Sequence, residues 1–540
     1  MADGIGARGQ LPLLSVAMPV YDPDEAHLRE AIESVLDQLH SRWEMCIVDD
    51  GSTQPRVRAV LHEYAARDRR IKLELLDANS GISAASNRAV AMCAGEYVAF
   101  LDHDDVLSSD ALPEVARAIE ADPSLDVVYS DQDKLSTRGA RRAPFFKPDW
   151  SPVYALGAMY IGHLLVVRRS LLAEAGGFDP AFDGIQDFEL LLRVSERTEH
   201  IRHLPRILYH WRAVPGSIAA GVDEKSGVPE LQARAVNDHL RRRGVAASAV
   251  PHSRIPHRTR LVPLPGAERP PVSVIVHGGP GRRDLKRRAG ALSERAAYRS
   301  LELVVAEPSR ARSAAATLNR ATERASGEQL LFLAEDIEIA DEDWVDALLT
   351  YARIPGVGVV GPLSLYPDGR VEHAGLALRR DGGDGRGDRL AWWHGNSPVE
   401  PVMRGAPGES DGYYGSLSCA REVAAVPASC MLAPRSVFER AGGFDEEYRA
   451  RYHDVDFCLR VRGMGLGVVC SPQPRVVCHR LSPPGLREDV LDRALLVDSW
   501  FEQLDRGDPY LSSHLSAAMR PDEPGAGGRL APLRRLARRR

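Results

Sequence analysis

The chain has 540 residues, enough for roughly two to four domains, and its 44% hydrophobic and 27% charged residues exclude a wholly disordered protein. A formal net charge of −6 gives no chain-wide basic field, so we expect no nucleic-acid partner. Seven cysteines without a Cys-x-x-Cys pair exclude a disulfide scaffold and a thiolate zinc site, and they favour a reducing compartment.

Short apolar strands and amphipathic helices alternate through the first part of the chain. The predicted strands are Leu14–Val20, Met45–Val48, Ile71–Leu76 and Tyr97–Leu101. Between the first two, Leu28, Ile32 and Leu36 recur at helical spacing, and this alternation predicts an open α/β sheet with helices on its faces. Two acidic clusters, Asp49-Asp50 and Asp102–Asp105, directly follow strands, at the edge where such sheets place ligands.

No export or membrane-spanning segment is predicted. The longest apolar stretch, Ala155–Val167, contains His163 and is shorter than the roughly 18 residues that span a bilayer, so it is interpreted as a buried strand or helix. Met1–Gln10 lacks a basic region followed by an apolar run, so we expect no signal peptide. The basic end, Arg534–Arg540, is interpreted either as a solvated tail or as a segment on an anionic membrane surface.

The chain also contains an internal repeat. Ser86–Leu101 aligns with Leu318–Leu333 at seven of 16 positions without a gap, and Arg169–Phe178 aligns with Arg435–Phe444 at six of ten. Two matching blocks in the same order indicate a tandem duplication, and the Pro-rich stretch between the copies indicates a linker. The predicted segments are a flexible N-terminus at 1–10, a first domain at 11–250, a linker at 251–271, a second domain at 272–500 and a C-terminal region at 501–540.

Candidate functional residues stand at the ends of the predicted strands. Asp102-x-Asp104 places two hard oxygen ligands on one loop, an arrangement that suits Mg²⁺ or Mn²⁺. Pro19 and Tyr21 end the first strand and Asp50 ends the second, where an aromatic ring and a carboxylate are suited to hold a base and a ribose.

Two later motifs complete the set. Gly176-Gly177-Phe178 leads to a predicted helix at Gln186–Arg193, which places Asp187 near the positive N-terminal end. His210-Trp211-Arg212 follows an apolar strand. The alternative interpretations are a helix cap for Asp187 and a hydrogen-bonded core histidine for His210.

In this order and spacing, the motifs resemble those of the inverting nucleotide-sugar glycosyltransferases of family 2. The resemblance covers about Leu11–Arg243 through five motifs and, more weakly, Val272–Pro484. It implies an α/β fold of two tandem GT-A-type nucleotide-binding domains, with mixed, mainly parallel sheets flanked by helices. It also implies a nucleotide-sugar donor, a saccharide or lipid-linked acceptor, and Mg²⁺ or Mn²⁺ as cofactor.

The family's functional residues transfer to matching positions of this chain. The expected donor-binding residues are Pro19, Tyr21, Asp50 and Asp102. The expected metal ligands are Asp102, Asp104 and His210. Asp187 is the expected general base. A divalent ion neutralises the leaving diphosphate while a carboxylate takes the acceptor's proton on the opposite face, so one metal and one base suffice for inversion.

The second copy departs from this pattern at its metal motif. Ala334 stands where the repeat aligns Asp102, which argues against the same metal-dependent chemistry in this copy. The acidic and histidine positions that it retains are Asp336, Asp454 and His479, the last near the place of His210. Two interpretations therefore stay open for the second copy: a second transferase, or a structural or acceptor-binding domain.

Two other classes of protein share some of these features. A tandem carbohydrate-binding or scaffold protein fits the altered second half but not the first. A dinucleotide-dependent oxidoreductase is disfavoured, because Pro19–Pro23 stands where G-x-G-x-x-G would follow the first strand. We therefore expect a hexosyltransferase of bacterial cell-surface polysaccharide assembly, located in the cytoplasm or peripherally at the inner face of the plasma membrane.

Overall fold

A computed structural model describes residues 11–136, 139–213, 227–278, 297–307, 313–379, 397–479 and 486–515. The chain forms two compact units. Within these ranges, the first unit contains the residues up to Trp150 and those from Met159 to His239, and the second contains Ser151–Ala158 and those from Leu240 to Leu515. The domain limits predicted above stay predictions. Among the described residues, no helix is long and apolar enough to cross a membrane, and the basic end Arg534–Arg540 lies outside them.

The first unit is built on one mixed sheet. Its strands are β1 (Leu14–Val20), β2 (Trp43–Asp49), β3 (Ile71–Leu75), β4 (Tyr97–Phe100), β5 (Val106–Leu107), β6 (Val127–Leu135), β7 (Arg141–Phe145), β8 (Leu165–Arg168) and β9 (Ile201–Arg212). The helices along this part of the chain are α1 (Glu25–Leu36), α2 (Pro55–Arg67), α3 (Ile82–Met92), α4 (Ala111–Ala121), α5 (Pro152–Gly157), α6 (Arg169–Ala175), α7 (Gln186–Ser195) and α8 (Val228–Arg242). Of these, α5 belongs to the second unit and α8 crosses the boundary.

The strand order places the predicted donor-binding residues at one edge. The order is β3-β2-β1-β4-β8-β6-β9-β5, with β7 beside β6. The pairs β2–β3, β1–β2 and β1–β4 are parallel, whereas β8 runs antiparallel to both β4 and β6. Because β1, β2 and β4 point the same way, their carboxyl ends meet at one edge, and Tyr21, Asp50 and Asp102 follow them there.

Packing of the first sheet explains the apolar strands seen in the sequence. Val16 and Met18 of β1 are fully buried and share one core with Leu28 and Ile32 of α1. Helix α3 also packs against β1 and β2. Near-continuous apolar residues are the pattern of strands covered on both faces. Helix α1 begins after Asp24, whose carboxylate accepts hydrogen bonds from the first turn.

The second unit contains a second mixed sheet and two small ribbons. Its strands are β10 (Ala247–Pro251), β11 (Thr259–Pro263), β12 (Val272–His277), β13 (Leu301–Val305), β14 (Gln329–Ala334), β15 (Ile337–Ile339), β16 (Val357–Leu365), β17 (Val371–His373), β18 (Leu376–Leu378), β19 (Val399–Pro401), β20 (Arg421–Glu422), β21 (Cys430–Pro434) and β22 (Gly467–Cys478). Its further helices are α9 (Ala314–Thr322), α10 (Trp344–Ala352), α11 (Arg435–Arg440), α12 (His453–Gly463) and α13 (Leu486–Arg506). Strands β10 and β11 pair as an antiparallel ribbon.

Helix α5 is anchored within the second unit. The buried carboxylate of Glu422 accepts hydrogen bonds from the backbone N–H groups of Val153 and Tyr154, at 2.9 and 3.4 Å. Burial raises the pKa of Glu422 to about 7. The hydroxyl of Thr259 donates to the carbonyl oxygen of Leu156 at the other end of the helix. Both ends of α5 are therefore held by strands of the second unit.

The two sheets confirm the duplication. The order β13-β12-β14-β21-β16-β22-β15 repeats β2-β1-β4-β8-β6-β9-β5 strand by strand. In the first unit, the Asn87 amide donates to Phe178 O and accepts from Phe178 N, both at 2.8 Å. Asn319 makes the same pair of bonds to Phe444, at 2.8 and 2.9 Å. A Cβ on Gly177, whose φ is +70°, would lie 2.5 Å from Asn87 Oδ1, so this turn requires glycine.

The asparagine clamp generates a stability prediction. Asn87→Ala is expected to lower the free energy of unfolding by about 1–3 kcal/mol, because it leaves the N–H and C=O of Phe178 unpaired in a partly buried turn. Chemical denaturation followed by circular dichroism measures the change. Asn79→Ala, at an exposed position, is the control and should leave stability unchanged. Equal stability of the two variants would contradict the clamp.

Candidate active site

Two predicted donor-binding residues stand at the end of β1. Tyr21 keeps 45% of its surface exposed, so its ring is accessible to a base. The carbonyl oxygen of Pro19 lies 3.3 Å from His103 Nδ1, which connects the end of β1 to the loop after β4. Contacts of Pro19 and Tyr21 with a nucleoside stay predictions.

The carboxylate of Asp50 is engaged by the protein itself. Its Oδ1 accepts hydrogen bonds from the N–H and the hydroxyl of Ser80, at 2.8 and 2.7 Å, and its Oδ2 accepts from Gly81 N at 3.0 Å. Asp50 therefore shapes the loop before α3. The preceding Asp49 is fully buried and its Oδ2 accepts from Arg58 Nε at 2.9 Å, while its Oδ1 has no hydrogen-bond partner among the described residues. Asp49 is thus a second candidate on this strand end.

A group of possible metal ligands forms at the end of β4. One carboxylate oxygen each of Asp102 and Asp105 and one ring nitrogen of His163 lie within 4.8 Å of one another. His163 Nε2 is 3.8 Å from Asp102 Oδ2. Asp104 stands on the same loop, and its charge acts on both neighbouring carboxyls. The predicted Asp-x-Asp loop therefore meets a histidine that the sequence analysis did not assign to the site.

Crowding of charge raises the proton affinity of these carboxyls. Loss of hydration and repulsion by Asp104 raise the pKa of Asp102 to about 6. Burial and the charges of both neighbours also raise the pKa of Asp105. Burial lowers the pKa of His163 to about 4, so its ring is neutral at pH 7 and has a lone pair to offer a cation.

Aromatic rings and a buried lysine fix the position of His163. Its ring stacks on Tyr209 with the centroids 4.7 Å apart and meets Trp211 edge-on at 6.0 Å. The ammonium of Lys147 donates to the carbonyl oxygens of Ile161 and His163 and to Ser130 O, the last at 2.5 Å. Burial lowers the pKa of Lys147 to about 7.

Arg212 holds the acidic loop from the other side. Its backbone N–H donates to Asp105 Oδ1 at 2.6 Å, and its Nε donates to the carbonyl oxygen of Asp104 at 2.6 Å. The Tyr209 hydroxyl donates to Asp105 Oδ2 at 2.5 Å. Both oxygens of Asp105 thus accept protein hydrogen bonds, so Asp105 positions the loop as well as bordering the possible metal site.

His210 lies on the other side of β9 from this group. Side chains alternate along a strand, so His210 faces away from Tyr209 and Trp211, whose rings contact His163. His210 is buried with its Nδ1 2.6 Å from Asp133 Oδ1, and its Nε2 has no hydrogen-bond partner in the described part of the chain. The structure therefore brings His163, rather than His210, to the Asp-x-Asp loop; a metal contact by His210 stays a prediction.

Asp187 lies in the first turn of α7, close to the same group. The residue before the helix is Ile185, so Asp187 is not the N-cap, although its Oδ1 accepts from Phe188 N at 2.8 Å. Burial raises the pKa of Asp187, and the charges of His163 and Asp102 act on it in opposite directions. Asp102 and Asp187 therefore interact electrostatically, while the role of Asp187 as the base stays a prediction.

The second unit lacks the equivalent metal-ligand group. Since the repeat and the β14–β21 register match those of β4–β8, Asp102, Asp105 and His163 correspond to Ala334, Ile337 and Ser429. None of these three side chains is a carboxylate or an imidazole.

Acidic residues of the second unit are retained with other partners. The carboxylate of Asp454 accepts from Ala428 N at 3.0 Å and Val455 N at 2.9 Å. His479 N donates to Asp336 O at 2.9 Å, and its Nε2 lies 2.8 Å from Glu338 Oε2.

The sheet register specifies the counterparts of His210 and His479. Glu338 pairs with Val477 in the second unit, and Val106 pairs with His210 in the first. The counterpart of His210 is therefore Val477, and His479 takes the place of Arg212.

Three site residues were not assigned from sequence. Asp105 was visible in the acidic cluster and Arg212 in the His-Trp-Arg motif, but neither position shows by itself which loop it holds. His163 gave one signal, a histidine inside a long apolar stretch. Its contact with Asp102 joins residues some 60 positions apart, and no local pattern predicts such a pairing.

Comparisons with known proteins indicate a family for the first part of the chain. Residues 15–176 match the family model described as glycosyl transferase family 2. The O-antigen biosynthesis protein RfbC of Myxococcus xanthus is 35% identical over 95% of this chain and 41% of its own length, and protein y4gI of Sinorhizobium fredii (strain NBRC 101917 / NGR234) is 35% identical over 89% and 55%. The chain thus spans about half the length of these curated relatives. The solved structure of S. aureus TarS with UDP-GlcNAc matches at 21% identity over 42% of this chain and 72% of that one, with a TM-score of 0.33.

The sheet and the family match identify the first unit as a GT-A-type glycosyltransferase domain, and the second unit contains a second copy of the same sheet. Residues 15–176 belong to glycosyltransferase family 2.

Charge crowding at the site gives a prediction for stability. The pKa of Asp102 in the folded protein, about 6, lies above its ordinary value of 3.8, so the folded state holds a proton that the unfolded chain has released in this window. The destabilisation is absent at low pH, grows as pH rises through the window and is complete above it. Asp102→Asn should therefore raise the melting temperature, more at about pH 8 than at about pH 4.5.

Thermal denaturation in chelator at both pH values measures this effect. Asp77→Asn, at an exposed position outside the site, is the matched control and should leave both melting temperatures unchanged. A lower melting temperature for Asp102→Asn at the higher pH would contradict the inferred repulsion.

Proposed function

We propose that the first unit transfers a hexose from a nucleotide-sugar donor to a saccharide or lipid-linked acceptor, with inversion, in the assembly of a bacterial cell-surface polysaccharide. The observation that carries the proposal is the meeting of Asp102, Asp105 and His163 near Asp187, at the carboxyl edge of a family 2 domain. Assembly of a surface polysaccharide is supported by the printed role of the relative from Myxococcus xanthus.

The ligand chemistry of this edge fits a divalent cation. Two carboxylates and one neutral imidazole within 4.8 Å offer two hard oxygens and one nitrogen. Carboxylate oxygens suit Mg²⁺ and Mn²⁺ alike, while the nitrogen of His163 favours Mn²⁺, because Mg²⁺ is bound mainly by oxygen. The residues that would hold the ion are Asp102, Asp105 and His163, and Asp104 stands on the same loop. When bound, such an ion neutralises charge on the leaving diphosphate.

Asp187 is the proposed general base. An acceptor hydroxyl is a weak nucleophile, so a carboxylate must take its proton as the new bond forms. Burial raises the pKa of Asp187, which makes it a stronger base than an exposed aspartate. Tyr21 is proposed to stack on the base of the donor, while Asp49 and Asp50 lie where its ribose would reach the end of β2.

We propose a supporting or acceptor-binding role for the second unit. Its counterparts of the metal-ligand group are Ala334, Ile337 and Ser429, and Asp454 has both carboxylate oxygens on backbone N–H groups. A second transferase would need a different way to neutralise the leaving group. We also propose action at the cytoplasmic face of the membrane, where the basic end, Arg534–Arg540, is suited to meet anionic lipid.

Metal-dependent donor binding tests the first part of this proposal. UDP-, dTDP- and GDP-sugars are screened against the full chain by calorimetry with Mn²⁺ and with chelator. Asp102→Ala combined with Asp104→Ala should abolish the metal-dependent part of the affinity, because loop carboxylates bury little apolar surface and the fold survives their loss. Asp336→Ala, which changes the position equivalent to Asp104 in the second unit, is the matched control and should bind normally. Unchanged affinity in the double variant, with and without chelator, would remove the metal from the proposal.

The two copies also offer a matched pair of base substitutions. Asp187→Asn should leave donor binding intact and lower kcat by roughly 10²–10⁴, because the amide keeps the size of the side chain but takes no proton. Asp454→Asn, at the equivalent position of the second unit, should leave kcat unchanged. Release of nucleoside diphosphate measures transfer by both variants on one acceptor. Wild-type turnover in Asp187→Asn would exclude it as the base, and a shortened product from Asp454→Asn would make the second unit a transferase.

A further inference from the structure

The second unit contains a cavity of about 400 Å³ that the transfer reaction does not use. This volume lies in the range of small-ligand sites. The walls are the turn of the β10–β11 ribbon, the start of α10 and an irregular part of β22. The charged and titratable side chains that line the cavity are His252, Arg254, Arg260, Asp341, Asp343 and Arg475.

The cavity is separate from the edge that carries His479. Arg475 lines the cavity and lies four residues before His479, and the strand between them is regular up to Cys478. Four extended residues at about 3.3 Å each span roughly 13 Å. The cavity is therefore a different place on the second sheet from the counterpart of the transferase site.

In the corresponding corner of the first unit, ion pairs join β9 to α4. Arg206 lies in the matching irregular part of β9, and its guanidinium pairs with Asp110 at 2.6 Å and Glu114 at 2.5 Å at the start of α4. In the second unit the matching irregular part of β22 carries the neutral Gln473, and the residue before α10 is Asp343. Gln473 has no charge with which to form such a pair, and the cavity lies at this corner.

Hydrogen-bond donors are concentrated on one side of the cavity. The guanidiniums of Arg254 and Arg475 both pair with Glu409. Arg260 donates to Gln473 Oε1 at 3.2 Å and pairs with no carboxylate among the described residues. It is therefore the guanidinium with the most bonding capacity left for a ligand.

His252 adds a further donor. Its Nδ1 accepts from the N–H groups of Arg254 and Ile255, at 3.2 and 3.1 Å, so its proton is on Nε2. Burial lowers the pKa of His252, and the charges of Arg254, Arg260 and Arg475 lower it further, which keeps the ring neutral.

Acceptors line the start of α10. Asp341 and Asp343 are exposed to the cavity, and neither carboxylate accepts a hydrogen bond from any part of the chain that the structure describes. Two carboxylates repel a phosphate dianion but accept hydrogen bonds from hydroxyl groups. A ligand with one negative charge and several hydroxyls satisfies both sets of groups.

We propose that this cavity binds an acidic sugar residue of a saccharide, with the sugar carboxylate on Arg260 and the hydroxyls on Asp341 and Asp343. A guanidinium fork matches a carboxylate through two parallel hydrogen bonds, which explains the preference for an acidic sugar over a neutral one. The choice of a saccharide as the ligand rests on the proposed function of the first unit. The complementarity between the charges of the ligand and those of the cavity follows from the lining residues alone.

The test uses the full chain and three small probes: methyl β-D-glucuronide, methyl β-D-glucoside and inorganic phosphate. Saturation-transfer NMR and titration at millimolar concentration should show the glucuronide binding about tenfold or more tightly than the glucoside. Arg260→Gln should remove that preference, and Asp341→Asn with Asp343→Asn should weaken both sugars. Arg206→Gln, at the corresponding corner of the first unit, is the matched control and should keep the preference for the glucuronide.

Several outcomes would overturn the proposal: equal binding of the two sugars, a preference that survives Arg260→Gln, phosphate binding more tightly than the glucuronide, or no binding of either sugar. Failure of the proposed function is measured separately. Glucuronide binding should persist in the variant with both Asp102→Ala and Asp104→Ala, while Arg260→Gln should keep metal-dependent donor binding.

Discussion

Three aspartates in four positions at the end of one strand are the constraint on which the first unit depends. Asp102, Asp104 and Asp105 crowd negative charge at this edge, and loss of hydration together with repulsion by Asp104 raises the pKa of Asp102 to about 6. The protein offsets this repulsion by holding the loop in place. Arg212 binds two of the three residues, and Lys147 fixes the neighbouring chain at His163 through carbonyl oxygens. These contacts keep the three like charges close together on a loop that their repulsion would otherwise open.

Local patterns predicted the sheet and part of the site. Alternating strands and helices fix the parallel half of the first sheet, and that arrangement alone places Asp102 at the carboxyl edge. The role of Asp102 as a metal ligand stays a prediction. Asp50 is assigned by the same logic, but its carboxylate accepts hydrogen bonds from Ser80. A carboxylate at the end of a strand can position the neighbouring loop as readily as it can bind a ligand. His163 and the partner of His210, Asp133, depend on pairings between distant strands, and sequence spacing carries no information about those.

Comparison of the two copies shows which residues the fold requires and which residues belong to the site. Both keep the asparagine that clamps the Gly-Gly-Phe turn, at Asn87 and Asn319, because the turn needs the same two hydrogen bonds in any version of the sheet. The residues at the carboxyl edge, in contrast, contribute little to the core and have changed freely. The second copy has Ala334 in place of Asp102 at this edge, although Glu335 and Asp336 keep the edge acidic, and it has a charged cavity near Arg260. Both copies thus keep the same fold, while the surface of the second copy is available to bind a different ligand.

The anchoring of α5 has a consequence for how the chain is made. Val153 and Tyr154 leave the ribosome well over 200 residues before Glu422, the side chain that receives their N–H groups. Until then the N–H groups at the start of α5 lack the carboxylate that receives them, although the strands on either side of α5 in the chain belong to the first unit and are already complete. Packing between segments that are this far apart in the sequence slows folding, and it leaves apolar surface exposed until both segments have been synthesised. In the newly synthesised chain, α5 is therefore an unpacked segment within a unit that is otherwise folded, and a chaperone would bind there.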